Sequence, residues 1–587
     1  MSASPLVLPP DFAELDRHFA EFIGRFGGDA TLLPLVAAML SRSTREGNIC
    51  LPLTMAPPPP AEAGAPDSLN WPTPAGWRSI LAKSRAVGGP DETTPLVLDE
   101  SNRLYLRRYW NYQHGLAVML REKAAKRDTA QDGNRGTRAA AVDAAVENEL
   151  TIICGGPGTG KTTTVLSILA RLLQEPGNER LRIALTAPTG KAAARLEETL
   201  RMGLEKLDCP EEVKLRMPVS ASTIHRLLGA KGNSIYFRHD RNNPLPLDLL
   251  VIDEASMVAL PLLSKLFDAL PERCRVVLLG DRDQLASVEP GAVLADIVDA
   301  ATSPESPLHH SLVTLEKNYR FTEASGTHHL CVAIRQGDAE NAVHILREQS
   351  YPDLVSSEPH EPRELAAKFT KAVLAGFSAF AAEKDPAAAL AQFKTFRVLS
   401  ALRRGPFGVE GLNRNIERIL QEAELIPKHV ISPYAGKPIL ITQNDYQLQL
   451  YNGDVGILLP DVEAKENPTQ LWAWFIGKEN ALRRFAPARL PQHEAAYAMT
   501  VHKSQGSEFD RVLFILPDKD AAVLTRELIY TGLTRARSQV ELWWNEALFV
   551  KAVARRAERN SGLRDLLAAP MAQRERPRQE QLRLFGE

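Results

Sequence analysis

Between about residues 138 and 345, apolar positions come in short unbroken runs instead of alternating with polar ones. The runs are ELTIIC (149–154), LRIALTAP (181–188), LDLLVIDE (247–254) and RVVLLGD (275–281), each followed by a loop and a helical pattern. A strand buried on both faces loses the in-and-out alternation, so these runs predict a parallel sheet with helices on each side. FRVLSAL (396–402), FDRVLFIL (509–516) and QVELWW (539–544) repeat the pattern and predict a second α/β unit. The stretch from about 425 to 495 differs. KPILITQN, NGDVGILL and TQLWAWFIG are short strands among many turns, and predict a small β-barrel inserted in that unit.

The front of the chain reads otherwise. Helical stripes such as FAELDRHFAEFIGRF dominate residues 1–55, and PLVLDESNRLYLRRYWNYQHGLAVMLREKAA begins like a strand before running into a long amphipathic helix. APPPPAEAGAP (56–66) suits neither helix nor ladder and reads as an extended surface loop, and KRDTAQDGNRGT (126–137) as a linker. The expected division is a mainly helical interaction domain over 1–125, a first lobe over 126–345, and a second lobe over 346–587 ending in a polar tail. No repeat of solenoid period is present.

Composition narrows the class. The 587 residues suggest about four domains or subdomains. With 44% hydrophobic and 24% charged residues, the chain is globular, neither disordered nor fibrous. Lys+Arg of 70 against Asp+Glu of 72 gives a net charge of -2, so any nucleic-acid binding must use local patches. No apolar run approaches the roughly 20 residues a bilayer needs. The start, MSASPLVLPPDFAELDRHF, lacks the basic region of a secretory signal. The five cysteines form no CxxC pair, which argues against a zinc or iron–sulfur framework and fits a reducing cytoplasm.

The chemistry begins at Gly155-Gly156-Pro157-Gly158-Thr159-Gly160-Lys161-Thr162, with Thr163 beyond, placed after a predicted strand and before a helix. Glycines let backbone N–H groups close around phosphate oxygens, and the helix N-terminus adds its positive end. Lys161 is placed to reach the β- and γ-phosphates of ATP, and the Thr162 hydroxyl to bind Mg²⁺. A chance match to this pattern in a chain this long has a probability of about 2%, before the strand–helix context is counted. A second strand ends in Val251-Ile252-Asp253-Glu254. A carboxylate at a strand's carboxyl end beside a phosphate loop is where Mg²⁺ is held. Asp253 is therefore the metal-side candidate, and Glu254 the candidate for orienting the attacking water.

Further motifs follow in order. APTGK (187–191), TIHRLL (223–228), GDRDQL (280–285), NYR (318–320), AMTVHKSQG (498–506) and YTGLTRAR (530–537) together resemble the motif set of superfamily 1 helicases. That resemblance places ATP between two lobes. Gln284 would sense the γ-phosphate, and Arg320 and Arg535 would reach it as the cleft closes. Pro188, Thr189 and Lys191, Thr223 and His225, and Thr500, His502 and Lys503 are the candidates for single-strand contact. Short hydroxyls, backbone N–H groups and cations there suit phosphate contact without base reading. His225 and His502 read equally as structural histidines.

More narrowly, GGPGTGKTTT, LTAPTGKAAARL, STIHRLLG, VIDEASMV, GDRDQLASVEPGAVLADI and YTGLTRAR resemble the RecD family, the alpha subunits of exodeoxyribonuclease V (RecBCD). RLYLRRYWNYQ also resembles that family's N-terminal domain. The implied fold is α/β, with two RecA-like P-loop motor lobes, a small SH3-like β-barrel insertion in the second, and a mainly helical N-terminal domain. The implied activity is an ATP- and Mg²⁺-dependent 5′→3′ helicase on single-stranded and duplex DNA. It would assemble with RecB-like and RecC-like subunits as a heterotrimer, in double-strand break repair by homologous recombination. No compact acidic cluster suits nuclease chemistry, so DNA cleavage is expected on another subunit.

One departure stands out. Relatives carry an adenine-reading glutamine some 15–20 residues before the phosphate loop; here Arg138 stands near that place, and the nearest upstream glutamine is Gln131. The main alternative is a free-standing helicase of the same branch, but those carry helix-hairpin-helix elements that the first 125 residues lack. A decayed ATPase would have lost Lys161, Asp253, Glu254 or Arg535, and none is lost. Arg107, Arg108, Tyr109, Trp110 and Tyr112 form an aromatic–basic cluster, read as a partner interface ahead of a DNA contact. Gln581, Leu582, Leu584 and Phe585 resemble sliding-clamp docking peptides, although packing onto this protein or its scaffold is the plainer reading.

Overall fold

The computed structural model describes residues 12–54, 72–125, 136–231, 234–322, 324–358, 362–428, 433–445, 447–461, 469–477 and 481–569. The proline-rich stretch 56–66, Gln131 with most of the 126–137 run, and the tail motif 581–585 lie outside them.

The first four sequence runs pair as an all-parallel sheet. Its six strands lie in the order Leu312–Leu315, Leu150–Gly155, Arg275–Gly280, Leu249–Ile252, Ile183–Ala187 and Ala221–Thr223. Ile152 lies opposite Leu278 on one side and Leu312 on the other. Because both faces are covered, every residue of Leu150–Gly155 and of Leu249–Ile252 is buried, which is why those segments read as unbroken apolar runs. The two flanking strands were not legible as runs, being only three and four residues long.

The second lobe repeats the design with five parallel strands, Leu354–Ser357, Ala536–Trp543, Phe509–Ile515, Phe396–Ser400 and Ala498–Thr500. Its helix Pro362–Ala382 is, among the described residues, the one long and apolar enough to cross a bilayer. Val373, Phe377 and Phe380 on that helix are buried in the lobe's own core beside Phe393 and Phe396. Between the strands Phe396–Ser400 and Ala498–Thr500 stands an antiparallel five-stranded sheet, ordered Leu482–Phe485, Leu471–Ile476, Val455–Pro460, Lys437–Ile441 and His493–Ala495.

The N-terminal region carries helices Glu14–Gly24, Leu32–Arg45, Pro74–Leu81 and Arg107–Ala124. It also holds a four-stranded sheet of Cys50–Pro52, Arg103–Leu106, Leu96–Leu98 and Val87–Gly88, strands too short to show a pattern. Trp77 is fully buried at its centre with Leu33, Val36 and Leu40. Within the aromatic–basic cluster the roles divide. Trp110 is core, and Arg107 donates to the carbonyls of Gly89, Pro90 and Thr94, while Arg108 remains exposed and donates to the Tyr112 hydroxyl.

The C-terminal segment departs from the expected division. Instead of ending in the second lobe, the chain returns. Ile49 N–H donates to the Asn560 carbonyl at 2.8 Å, Gly562 N–H to Gln113 Oε1 at 2.9 Å, and Arg103 pairs with Asp565 at 2.5 Å. Leu563 and Leu567 of the helix Leu563–Ala568 are buried in the core shared by the first lobe and the helix Arg107–Ala124. Burying each such side chain contributes about 1.5–3 kcal/mol towards docking this short helix.

Candidate active site

The phosphate loop follows the strand Leu150–Gly155 and opens the helix Lys161–Gln174. Gly158 and Gly160 have φ of +83° and +82°, in the left-handed region where side chains are strained. A Cβ on Gly158 would stand 2.5 Å from the Arg320 Cβ. The loop's curl therefore requires glycine both for backbone and for space. Lys161 Nζ donates to the carbonyls of Gly155 at 2.6 Å and Gly156 at 3.0 Å, so the ammonium is folded back onto its own loop.

Asp253 lies just past the strand Leu249–Ile252, buried in the cleft, and accepts from the Glu254 N–H at 2.9 Å. Burial, helped by the Glu254 charge and opposed by Lys161, pushes the Asp253 carboxyl up to about 6. Glu254 holds φ 52°, the left-handed region for a non-glycine residue. Backbone strain of this kind persists where surroundings over-determine it, and Glu254 lines the cleft. One cleft of about 340 Å³ brings together Lys161, Thr162, Asp253, Glu254, Gln284, Arg320 and Arg535, seven residues from five separate stretches of sequence.

A buried chain of hydrogen bonds crosses from one lobe to the other. Tyr530 OH donates to Asp281 Oδ2 at 2.9 Å, Gln284 Nε2 donates to the same oxygen at 3.1 Å, and Arg535 Nη2 donates to Gln284 Oε1 at 3.1 Å. Burial raises the Asp281 carboxyl. Arg535 is almost fully buried, and its Nε is held by the Thr531 carbonyl at 3.0 Å. Leu285 N–H reaches Thr531 Oγ1 at 2.9 Å, and Gln505 Nε2 reaches the Leu285 carbonyl at 2.8 Å, joining the lobes a second time.

Arg320 lines the cleft but points at Glu508, which also pairs with Arg195 at 2.5 Å and Arg537 at 3.3 Å. Burial alone would raise the Glu508 carboxyl; the Arg195 and Arg320 guanidiniums overcome it and hold it at about 2. Sequence reasoning singled out none of Glu508, Arg195, Asp281 and Tyr530 for a role. Each lies within a few residues of a recognised motif, but nothing in its spacing shows a partner on the other lobe. Arg138, noted in the sequence for the missing upstream glutamine, and Tyr319, quoted only within its motif, also line this cleft.

The candidate strand-contact residues fall at the carboxyl ends of parallel strands. Thr189, Thr223 and Thr500 cap helices: their Oγ1 atoms accept from Ala192 N–H at 3.2 Å, Arg226 N–H at 3.2 Å and Lys503 N–H at 3.3 Å. Their hydroxyls are thus engaged in orienting helix N-termini. Pro188 and Lys191 flank the Thr189 cap, and burial lowers Lys191 to about 7. His225 is exposed and packs edge-to-face on Phe237 at 5.7 Å. His502 is half-buried with a lowered pKa from burial, and Lys503 pairs with Glu494 at 2.6 Å.

Comparison with known proteins gives concordant results. The AAA domain family matches residues 138–290, the RecBCD enzyme subunit RecD N-terminal domain family residues 12–105, and the UvrD-like helicase C-terminal domain family residues 495–542. The RecBCD enzyme subunit RecD of Mycobacterium tuberculosis is 39% identical over 563 residues, covering 94% of each chain. That of Mycolicibacterium smegmatis is 39% identical over 551 residues, covering 91% of this chain and 93% of its own. A Bacteroides Pif1 helicase structure with ssDNA is similar at 16% identity over 72% of this chain and 94% of that one, with a TM-score of 0.38. The class is an ATP-dependent DNA helicase of the P-loop type. Within it, the chain belongs to the RecD family.

Proposed function

We propose that the chain is the motor subunit of a RecBCD-type helicase–nuclease, translocating 5′→3′ along DNA at the expense of ATP. The observation that carries the motor reading is the Tyr530–Asp281–Gln284–Arg535 chain, which links a residue beside the nucleotide cleft to the second lobe. In this reading Gly155 to Thr163 cradle the phosphates, and Lys161 exchanges its two loop carbonyls for β- and γ-oxygens. Glu254 orients the attacking water, Gln284 reports the γ-phosphate, and Arg320 and Arg535 meet the charge that develops there. Thr162 and Asp253, both lining the cleft, would hold a divalent cation through a hydroxyl and a carboxylate oxygen, the hard donors Mg²⁺ prefers. Mg²⁺ held there would neutralise charge on the β- and γ-oxygens.

Strand contact is assigned to Pro188, Thr189, Lys191, Thr223 and His225 on the first lobe and to Thr500, His502 and Lys503 on the second. The capped helix N-termini offer N–H groups to phosphates, which fits binding without sequence preference. Assembly with RecB-like and RecC-like subunits in break repair is supported by full-length similarity to proteins named as RecBCD subunits and by the matched N-terminal domain. Residues 1–125 are assigned to that assembly, 126–345 to the first lobe, 346–587 to the second apart from the returning segment around 560–568, and the antiparallel sheet within 425–495 to an SH3-like barrel. A cytoplasmic location accords with this work. Clamp docking through residues 581–585 rests on sequence alone, and unchanged clamp binding after removing 581–587 disposes of it.

The test is ATP hydrolysis and strand separation on 5′- and 3′-tailed duplexes, by the chain alone and with its partner subunits, with and without Lys161→Gln. DNA-stimulated hydrolysis, unwinding from the 5′ tail only, and a loss of orders of magnitude in the variant are expected. Unwinding from the 3′ tail, or full hydrolysis by Lys161→Gln, overturns the assignment.

A further inference from the structure

Arg138 begins the helix Arg138–Glu147 at the edge of the nucleotide cleft, and its position is fixed from both sides. Thr137 caps the helix, its Oγ1 accepting from Ala140 N–H at 3.2 Å. The guanidinium carbon lies 4.0 Å from the centre of the Tyr319 ring. Tyr319 is tied to the phosphate loop, its N–H donating to the Gly158 carbonyl at 2.8 Å. Across the loop, a Cβ on Gly160 would fall 1.9 Å from Arg138 Nη2. The guanidinium thus sits in the mouth of the nucleotide cleft, between the 155–162 loop and the Tyr319 ring on which it stacks. Arg138 Nε is buried there without a hydrogen-bond partner among the described residues.

The chemistry of that position decides which base it reads. A glutamine offers one donor and one acceptor, matching the N6 amino group and N7 of adenine. A guanidinium offers donors only. Against adenine it meets one acceptor and one opposing donor; against guanine it meets two acceptors, O6 and N7, in the bidentate arrangement arginine favours.

We propose that this chain hydrolyses GTP as well as ATP, and that Arg138 is the specificity-determining residue that admits guanine. The proposal rests on the cleft being the nucleotide site. The reaction is the same for both substrates. Water oxygen bonds to the γ-phosphorus, the bond to the β–γ bridging oxygen breaks, and the diphosphate, inorganic phosphate and a proton leave.

The experiment measures kcat/KM for ATP and GTP with single-stranded DNA, using the full chain, alone or in its complex, and competition between ADP and GDP for binding to the full chain. Wild type is expected to use GTP within about threefold of ATP, and Arg138→Gln to shift the ratio towards ATP by about tenfold or more. Arg138→Ala, which reads neither edge, is expected to fall between them. Wild-type rejection of GTP by more than about a hundredfold with normal ATP hydrolysis, or an unchanged ratio in Arg138→Gln, overturns the proposal while leaving the site intact. If neither triphosphate nor diphosphate binds, and Lys161→Gln changes nothing, the site assignment falls and the proposal with it.

Discussion

Arg535 of the second lobe donates to Gln284 of the first at 3.1 Å, and the same amide donates to Asp281 at 3.1 Å. Gln284 uses both poles of its side chain, acceptor towards a cation and donor towards an anion, which no charged residue of its size reproduces. The amide thus ties the cleft face of the first lobe to the second lobe.

The pair should act as a unit. Arg535→Ala is expected to lower DNA-stimulated ATP hydrolysis by about 10³-fold or more, the worth of an arginine on transition-state charge. Gln284→Ala should lower it by a smaller factor, and the double variant should be little worse than Arg535→Ala. Simple multiplication of the two effects in kcat/KM would show that the contact carries no coupling.

Glu508 holds Arg195 and Arg320 in the cleft by ion pairs, and under the proposed function it competes with an incoming γ-phosphate for the same cations. Glu508→Gln should therefore lower KM for ATP by about threefold while changing kcat less, since the pairing penalty falls mainly on binding. An unchanged KM with a lowered melting temperature would reduce Glu508 to a structural tie.

Strand affinity should depend on pH near neutrality. Burial, with the Arg397 charge and lesser contributions from Lys394 and Arg195, lowers Lys191 to about 7 against the pull of Asp454. Burial also raises Asp454 to about 7, opposed by Lys191, Arg483 and Arg226. As pH rises from 6 to 8, Lys191 loses its positive charge and Asp454 gains a negative one. Both changes disfavour phosphate. Single-strand affinity at constant ionic strength should then fall with rising pH, by up to about tenfold per unit for each proton taken up. Lys191→Arg and Asp454→Asn should each flatten the slope in anisotropy titrations; a slope untouched by both refutes the assignment.

Trp77, fully buried in the N-terminal region, tests the division of labour. Trp77→Ala should cost that region about 3–5 kcal/mol. Scanning calorimetry should show an earlier transition and partner capture should be lost, while DNA-stimulated hydrolysis by the chain stays within a few-fold. Loss of hydrolysis in a chain whose lobes still melt normally would mean that the N-terminal region supports the motor directly.

The phosphate loop and the Asp253-Glu254 pair were legible in the sequence because each is confined to one strand and the turn after it. Hydrogen-bond geometry there is set within a dozen residues, so spacing alone records it. The central strands were legible for a related reason: burial on both faces leaves an unbroken apolar run. The three-residue strand Ala221–Thr223 and the small N-terminal sheet left no such record.

What the sequence determined by itself, then, was the local pattern: which glycine-rich loop joins strand to helix, which strand ends carry carboxylates, and which segments repeat as α/β lobes. Tertiary structure alone decided the pairings between distant segments. It brought Glu508 onto Arg195 and Arg320, set Arg138 on Tyr319 at the cleft mouth, and returned Leu563 and Leu567 to the first lobe's core. The physical reason is range. Backbone propensity and motif spacing act over a few residues, whereas ion pairs, stacking and burial act between whatever the folded sheets bring within a few ångströms.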